Sequence, residues 1–398
     1  MLGTAGLRVL AALEDRALFD DDENDDNSIF EQDDDDYGEG SVERIMIDLR
    51  NYIDLHTRLL FIRDDQVRVL RGEEEALFDF LTLQQLLRYN PYSHFSFPST
   101  HQNDQNDENE VNDEPVLRII EKQWSGSPFY PIITIDLGGA STQIAFALSS
   151  HVQMNVQSSS GTSGDLQNFP LLPPLFVTSS DDSALFVHSF LNYGVNRARE
   201  SYFDWLIAKS KSPVSDPCMP MDLTEIITRG ENLFELRGVY NYQKCKESVD
   251  KMFQANFPFA DCADCAFTNT FIPLPTSSPS FQPSTNMTVV AFDHAYRIAS
   301  RFGLHGRTPL AELKRSSLAF FSSDSLDNLR RQFGGDIKDD ELRKLGFEIT
   351  YLHSLMSLGY KLDQFDVVFG GDIEGYNLNW ALGAAVEHLY LFCKLGAI

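Results

Sequence analysis

The sequence predicts an α/β fold, in which strands with a two-residue period are combined with apolar-rich helices. Residues 131–146 contain a β-branched run, two glycines and a second run with alternating apolar positions. This pattern is typical of two strands joined by a tight turn. Apolar-rich segments that follow Ser41 and Phe347 predict helices. With 398 residues, the chain can bury one large core or two domains.

The composition is typical of a soluble globular protein and argues against two kinds of partner. Hydrophobic residues make up 42% of the chain, and no apolar run is long enough to span a membrane. The formal net charge of −27 argues against a nucleic-acid partner. Residues 1–4 are not a basic region followed by an apolar core, so we expect no signal peptide in this sequence.

Two polar tracts are predicted to be disordered insertions. Residues 20–40 are dominated by aspartate and glutamate, and like charges at this density repel one another and cannot bury area. Residues 98–115 are rich in asparagine, aspartate and glutamate. Calcium binding by the first tract is the alternative, although that tract lacks the spacing of an EF-hand loop.

The turn between the two predicted strands carries a concentration of polar groups. Asp136 precedes Gly138 and Gly139, and Ser141 and Gln143 follow them. The glycines permit a tight turn and let backbone N–H groups approach a ligand closely. A P-loop would place a helix and a lysine after its glycines, and neither is present. The residues alone allow an ordinary hairpin or one that binds a ligand.

The segment Asp-Leu-Gly-Gly-Ala-Ser-Thr-Gln at residues 136–143 resembles the fourth conserved region of the apyrase family, the nucleoside di- and triphosphate diphosphohydrolases. Four further segments are similar to family segments in the same order along the chain, at residues 2–10, 72–80, 188–194 and 380–383. An exopolyphosphatase, whose hairpin motif is similar, is an alternative that leaves these other segments unexplained.

The segment Gly-Glu-Glu-Glu-Ala-Leu-Phe-Asp-Phe at residues 72–80 resembles the family motif Gly-Gln-Glu-Glu-Gly-Val-Phe-Gly-Trp. The second glutamate of that motif is the catalytic base of the family, and it falls on Glu75. Ala76 and Phe80 replace a glycine and the tryptophan, and Ala76 could alter the approach of the backbone to the attacking water. On the residues alone, three consecutive carboxylates are also a common solvated helix start.

The resemblance implies an actin-like, ribonuclease-H-type fold of two domains, as in the actin/Hsp70/hexokinase superfamily. The first conserved region of the family, an Asp-Ala-Gly-Ser-Ser loop, is missing from the sequence, so we expect the first domain to be incomplete. We expect residues 1–72 to belong to that domain, residues 73–371 to form the second domain and residues 372–398 to return to the first.

The resemblance also implies hydrolysis of the terminal phosphate of nucleoside di- or triphosphates by in-line attack of water. In this mechanism Glu75 deprotonates the water and Ser141 orients it. Backbone amides of Gly138, Gly139 and Ala140 hold the phosphate oxygens as preorganised donors. The alternative is a catalytically impaired nucleotide-binding relative, because the opposing phosphate loop is missing.

A divalent cation, Mg or Ca, is the cofactor that the resemblance implies. Asp136 and Gln143 are expected to bind its waters, which would neutralise the phosphate chain. Thr4 and Ala5 are expected to contact the phosphates from the first domain. The sequence leaves the oligomeric state open.

The nucleotide base is expected near residues 290–297. This segment aligns with an aromatic family segment that helps to hold the base, and it keeps Phe292 and Tyr296. Arg297 stands near the usual stacking position and can stack on a base by cation–π contact. Tyr296 and Arg297 are therefore the candidate base-binding residues, with the base preference open.

Five cysteines are too few for a disulfide scaffold. The resemblance implies disulfides in an oxidising lumen, and we expect Cys218 to pair with Cys245 and Cys262 with Cys265, leaving Cys393 unpaired. By spacing alone, Cys262 and Cys265 could instead be half of a zinc site.

The resemblance places the protein in the secretory-pathway lumen or outside the cell, although no targeting segment is visible. Asn286 lies in an N-glycosylation sequon, which fits such a location.

Three other segments yield predictions. Residues 66–70 are strand-like. Phe-Gly-Gly-Asp-Ile occurs at residues 333–337 and again at 369–373, and both copies are predicted to be simple turns because neither is followed by the Ser/Thr exit of the hairpin. His188 is interpreted as a hydrogen-bonded structural histidine, with a ligand role as the alternative.

Overall fold

A mixed six-stranded sheet forms the centre of the protein. The computed structural model describes residues 42–56, 67–89, 130–147, 185–209, 212–254, 272, 287–373 and 375–394. The helices are α1 (Val42–His56), α2 (Gly72–Tyr89), α3 (Val195–Lys209), α4 (Tyr242–Gln254), α5 (His294–Arg301), α6 (Leu310–Phe320), α7 (Leu326–Gln332), α8 (Asp339–Ser354) and α9 (Trp380–Lys394). The strands are β1 (Ile132–Leu137), β2 (Ser141–Ala147), β3 (Leu185–Leu191), β4 (Val214–Asp216), β5 (Thr224–Arg229), β6 (Asn232–Gly238), β7 (Thr288–Asp293), β8 (Gly306–Pro309), β9 (Asp366–Phe369), β10 (Asp372–Ile373) and β11 (Tyr376–Asn377). A single π-helical turn, Leu355–Gly359, follows α8.

The strand order in the central sheet is β3-β2-β1-β7-β9-β8. Strands β1, β7 and β9 are parallel to one another, whereas β2, β3 and β8 pair antiparallel to their neighbours. The predicted hairpin is confirmed, with Asp136 opposite Gln143 and Leu137 opposite Thr142. Strands β4, β6 and β5 form a second sheet, and β10 and β11 form a small hairpin.

The central sheet is buried on both faces, and alternate residues of one strand enter two different cores. Ile133 and Ile135 of β1 pack into the larger core, whereas Ile132 packs into the smaller core together with residues of α2. Because both faces are covered, every residue of β1 is buried, as is usual for a strand inside a parallel arrangement. The sheet therefore holds its polar residue Asp136 in a rigid setting.

Helix α9 packs against α2 and secures the helix that carries Glu75. The Thr82 hydroxyl donates to the carbonyl of Asn379 at 2.7 Å and accepts from the N–H of Gly383 at 2.7 Å. A Cβ atom at Gly383 would lie 1.9 Å from the carbonyl oxygen of Phe78, so only glycine allows this approach. The predicted return of residues 372–398 to the first domain stays a prediction, because residues 1–41 lie outside the described part.

The predicted disulfide between Cys218 and Cys245 is confirmed. It joins the segment after β4 to helix α4, and both cysteines are fully buried. Cys262, Cys265 and Asn286 lie outside the described residues, as does the side chain of Cys393. Their predictions therefore stay open.

The strand predicted at residues 66–70 is wrong for its described part. Residues 67–70 are irregular, and the Arg50 guanidinium donates twice to the carbonyl of Val67, at 3.0 and 2.8 Å. A side chain of α1 thus satisfies a backbone group that a strand would use in a ladder. The predicted helices after Ser41 and Phe347 are confirmed as α1 and part of α8.

The acidic tract at residues 20–40 and the insertion at residues 98–115 both lie outside the described part of the chain. Within the described part, no helix combines the length and apolarity needed to cross a membrane.

Replacing Gly383 by alanine should destabilise the protein. Alanine ordinarily stabilises a helix by about 1 kcal/mol relative to glycine, but here its methyl group would collide with Phe78. We expect a loss of about 1–3 kcal/mol in the free energy of unfolding, as for other overpacked sites, measured by denaturant titration. Ala385→Ser, at an exposed position of the same helix, is the control. A more stable Gly383→Ala variant would contradict the packing of α9 on α2.

Candidate active site

A cleft of about 770 Å³ opens where β1 and β7 end. Residues of the β1–β2 turn, the first turns of α2, α3 and α5, and the β10–β11 hairpin form its walls. Ligands of open α/β sheets commonly bind outside the carboxyl ends of parallel strands. The position of the cleft therefore follows from the topology of the sheet.

The first turn of α2 places two of its three glutamates in different environments. Glu74 accepts two hydrogen bonds from the Arg68 guanidinium, both at 2.8 Å, and one from the N–H of Arg71 at 3.0 Å. Burial opposes ionisation, but the hydrogen bonds from Arg68 and Arg71 outweigh it and lower the pKa of Glu74 to about 2. Glu75 lines the cleft and is 9% exposed. Glu74 is thus a structural partner of Arg68, and Glu75 is the glutamate that lines the cleft.

Gln143 connects the two candidate catalytic residues. Its Nε2 atom donates to Glu75 Oε2 at 2.8 Å and lies 2.6 Å from Ser141 Oγ. Because a carboxylate only accepts, the NH₂ group of the amide must face Glu75. The opposite atom, Gln143 Oε1, is buried and lacks a hydrogen-bond partner among the described residues. The structure therefore brings Glu75, Ser141 and Gln143 together in one hydrogen-bonded group.

Asp136 and Asp79 form a buried acidic pair behind this group. Asp136 lines the cleft, and burial, followed by the charges of Asp293 and Glu75, raises its pKa well above the usual range. Burial, followed by the charge of Asp136, likewise raises the pKa of Asp79. Two carboxylates can only accept, so a hydrogen bond between Asp79 and Asp136 requires a proton on one of them. Without that proton, Asp136 Oδ1 and both oxygens of Asp79 have no hydrogen-bond partner in the described structure.

The glycine turn is held from behind by the start of α3. The N–H of Val195 donates to the carbonyl of Gly138 at 3.0 Å, and the N–H groups of Asn196 and Arg197 donate to that of Gly139 at 2.9 and 3.1 Å. Residues 138–139 thus line the cleft while their carbonyls fix the turn to the start of α3.

One of the predicted phosphate-binding amides is already used within the turn. The N–H of Gly138 donates to the carbonyl of Ser141 at 3.0 Å, because these residues close a two-residue hairpin loop. Contrary to the sequence-based prediction, this amide is not available to a phosphate in this conformation. The N–H groups of Gly139 and Ala140 have no such acceptor among the described residues.

Gly194, the last residue of the His-Ser-Phe-Leu-Asn-Tyr-Gly segment, packs directly on the turn. A Cβ atom there would lie 2.3 Å from the amide nitrogen of Ala140 and 2.4 Å from that of Ser141. His188, in the same segment, packs edge-on against Phe190 with ring centroids 4.5 Å apart. Burial lowers the pKa of His188, and this residue is not among those that line the cleft.

The candidate base-binding residues lie on the wall formed by α5. Tyr296 and Arg297 both line the cleft, and Arg297 Nη2 donates to Asp293 Oδ1 at 2.6 Å. A Cβ atom at Gly371 would lie 2.5 Å from the ring of Tyr296. The second Phe-Gly-Gly-Asp-Ile copy, at residues 369–373, is therefore more than a simple turn, because Tyr296 packs directly on Gly371.

Sequence reasoning missed several residues at or beside the cleft, among them Asp79, Asn196, Arg197 and Asp293. Asp79 had a signal, since it replaces the glycine that precedes tryptophan in the family motif. Asp293 adopts a φ of 52°, which is unusual for a residue with a side chain; its carboxylate is held by Arg297 and by His294 at 3.1 Å. This backbone conformation has no local sequence signature.

The predicted contacts of the first domain and of a metal ion have different outcomes. Thr4 and Ala5, predicted to contact phosphate, are outside the described residues. Within the described ranges, no group of three His, Cys, Asp or Glu side chains is arranged to hold a metal ion directly.

The comparisons with known proteins bear on the fold. A crystal structure described as nucleoside triphosphate hydrolases from Neospora caninum is similar to this chain, with a TM-score of 0.50 and 16% sequence identity. The similarity covers 89% of this chain and 71% of that one. It confirms the predicted actin-like α/β fold.

Sequence comparison defines the family. The profile of the GDA1/CD39 (nucleoside phosphatase) family matches residues 38–394, and the chain therefore belongs to this family. The predicted resemblance to apyrases is confirmed.

Curated relatives are similar over most of this chain. The nucleoside-diphosphatase mig-23 of Caenorhabditis elegans is 25% identical over 371 residues, which cover 88% of this chain and 59% of that protein. The Golgi apyrase of Saccharomyces cerevisiae is 23% identical, over 80% of this chain and 48% of the relative. Human ectonucleoside triphosphate diphosphohydrolase 3 is 25% identical, over 63% of this chain and 46% of its own length. The chain thus spans about half the length of the curated relatives that it matches.

Glu74→Gln should lower stability in a pH-dependent way. The pKa of Glu74 is lower in the folded state than its ordinary value of 4.5, so the ionised group stabilises the fold above about pH 4.5 and loses this effect as the pH falls towards 2. At neutral pH we expect a loss of about 1 kcal/mol, the upper range for a partly exposed ion pair. The difference from the wild type should shrink at about pH 3. Denaturant unfolding at both pH values, with Glu73→Gln as the control, tests this; a pH-independent difference would refute it.

Proposed function

We propose that the chain carries a nucleoside phosphatase site that removes the terminal phosphate of nucleoside di- or triphosphates by in-line attack of water. The observation that carries this proposal is the Glu75–Gln143–Ser141 group, joined by hydrogen bonds of 2.8 and 2.6 Å at the floor of the cleft. In it, Glu75 is the general base for the water. A general base must lie within hydrogen-bond reach of the proton that it removes, and Glu75 lines the space next to the glycine turn.

The amide of Gln143 supports this role for Glu75. Its hydrogen bond to Oε2 restricts the orientation of the Glu75 side chain beside the glycine turn. Ser141 Oγ accepts from the same amide, and a hydroxyl that accepts one hydrogen bond can donate its own proton to another acceptor. We assign Ser141 the orientation of the attacking water or of a phosphate oxygen.

The N–H groups of Gly139 and Ala140 are assigned to the phosphate oxygens. Preorganised backbone donors stabilise developing negative charge without reorganisation, and one such donor is worth roughly 10²-fold or more in rate. The carbonyl of Gly139 is engaged by the start of α3, which supports a fixed direction for the following amide. Phosphate binding by Thr4 and Ala5 remains part of the proposal.

The donor set of the cleft fits a divalent cation such as Mg or Ca. Asp136 Oδ1 and Gln143 Oε1 are buried oxygen atoms without a partner in the described structure, and both residues line the cleft. Mg and Ca prefer oxygen ligands, and Mg keeps several of its waters, which suits binding through water. When bound, the cation would supply charge neutralisation of the phosphate chain.

The substrate class is supported by the relatives and by the size of the cleft. The curated relatives carry the names nucleoside-diphosphatase, Golgi apyrase and ectonucleoside triphosphate diphosphohydrolase. A volume of about 770 Å³ lies within the range of small-molecule sites, and Tyr296 and Arg297 are proposed to contact the base. A location in the secretory pathway or outside the cell is supported by two of these names and by the buried Cys218–Cys245 disulfide.

Glu75→Gln should abolish most turnover and leave binding nearly intact. Glutamine keeps an oxygen to accept from Gln143 but cannot take a proton, so we expect kcat to fall by roughly 10²–10⁴-fold. The measurement is phosphate release from ATP, ADP, GDP and UDP with Mg or Ca, together with calorimetric binding of a non-hydrolysable analogue. Glu74→Gln is the matched control, since it loses one carboxylate outside the cleft. Turnover by Glu75→Gln at the wild-type rate would reject the base assignment, whereas analogue binding without turnover by the wild type would favour an impaired relative.

Ser141→Ala should slow hydrolysis without changing the course of the reaction. We expect a decrease on the order of 10²-fold, because the hydroxyl positions a reactant and is not itself phosphorylated. Rapid quenching during turnover, followed by mass spectrometry, searches for a phosphorylated Ser141. A phosphoserine that forms and decays at the turnover rate would replace direct water attack by covalent catalysis.

A further inference from the structure

The cleft is more acidic than a site for an anionic substrate would be expected to be. Among the described residues, its lining includes the four carboxyl groups of Glu75, Asp136, Asp293 and Asp372 and the two guanidinium groups of Arg197 and Arg297. A polyphosphate chain that enters this space meets like charges, and each of them disfavours binding. Within the described part of the chain, these two arginines therefore decide how much positive charge the cleft offers to a phosphate.

Arg297 is already committed to another group. Its guanidinium forms an ion pair with Asp293 at 2.6 Å, and its charge also partly offsets the raised pKa of Asp136. The side chain is 66% exposed, so it lies at the outer part of the wall. Arg297 thus compensates the carboxylates that surround it.

Arg197 differs from Arg297 both in its burial and in its lack of an ion pair among the described residues. Its Nε atom is buried and has no hydrogen-bond partner among the described residues, and no ion pair of Arg197 is found in that part of the chain. A buried N–H donor without an acceptor is costly, and the cost is recovered when an acceptor arrives.

The backbone of Arg197 fixes where its side chain lies. Its N–H donates to the carbonyl of Gly139 at 3.1 Å, so the residue is joined to the glycine turn, whose amides are the proposed phosphate donors. The next turn of α3 is held by the ion pair of Arg199 with Glu225 at 2.5 Å. Arg197 therefore lines the cleft from a helix start that is fixed to the glycine turn.

We propose that Arg197 is a substrate-binding residue that donates charge-assisted hydrogen bonds to the phosphate chain of the nucleotide. This inference rests on the proposed function, and it assigns the phosphate chain a cationic partner from the protein in addition to the backbone amides. A guanidinium has its donors in a rigid planar array that matches the oxygens of a phosphate. Because the contact exists before the reaction, it strengthens ground-state binding and affects KM more than kcat.

The test compares Arg197→Gln, Arg197→Lys and the wild type. Binding of a non-hydrolysable nucleoside diphosphate analogue, of inorganic phosphate and of the uncharged nucleoside is measured by calorimetry with Mg. We expect Arg197→Gln to weaken analogue binding by about 10- to 100-fold, as for a lost charge-assisted hydrogen bond, and to leave nucleoside binding unchanged. Arg197→Lys should restore part of the affinity, and its KM should recover while kcat stays near the wild-type value.

Arg237→Gln is the control, because it removes the same charge from an exposed ion pair with Glu235 on the second sheet. Equal analogue affinity of the wild type and both Arg197 variants would overturn the proposal, as would an equal loss for the analogue and the nucleoside. If Arg197→Gln fails to fold, the analogue affinities of Arg197→Lys and of the wild type are compared at increasing salt concentrations. Equal affinities throughout would then overturn the proposal. Failure of the proposed function can be told apart from failure of the Arg197 assignment. In the first case the wild type binds the analogue but releases no phosphate from substrates. In the second case Arg197→Gln binds the analogue as tightly as the wild type does. A wild type that does not bind the analogue would overturn both.

Discussion

The hydrogen bond from Gln143 to Glu75 is the interaction on which the site depends. It joins residues 68 positions apart in the chain, one on a strand of the central sheet and the other on the first turn of α2. Neither residue is held by this bond alone, because β2 is paired on both sides and α2 is covered by α9. The distance between Glu75 and Ser141 is therefore set by the packing of a helix on a sheet, which changes little with the motion of a loop.

The acidic floor of the cleft is maintained at a cost in stability. Burial raises the pKa values of Asp79 and Asp136, and buried carboxyl groups without partners destabilise a fold. Asp293 adds a backbone conformation that is unfavourable for a residue with a side chain. Unfavourable groups of this kind persist where the surrounding structure over-determines them, and they concentrate at functional sites. The central sheet, covered on both faces, provides that rigidity here.

Three glycines let backbone segments approach one another around the cleft. Gly194 lies against the amides of the turn, Gly383 against the carbonyl of Phe78, and Gly371 against the ring of Tyr296. Each contact brings a different element to the cleft: α3, α9 and the β9–β10 segment. These three glycines, which are far apart in the sequence, thus contribute to the shape of the cleft.

The sequence by itself determined the hairpin, the helix that carries Glu75 and the family. These features depend on local signals, such as a two-residue period and glycines between polar residues, or on motifs that stand in one continuous segment. The disulfide between Cys218 and Cys245 was expected from the resemblance to the family and is confirmed by the structure. Only the tertiary structure decided which amides of the turn remain available, since the N–H of Gly138 is used by Ser141. It also decided that Glu74 and Glu75, adjacent in the chain, have separate roles, because Arg68 takes the first and Gln143 the second. Arg197, which lines the cleft, and Asp79, which lies behind it, became visible for the same reason. Their environment is created by segments far apart in sequence, and no period or spacing along the chain records it.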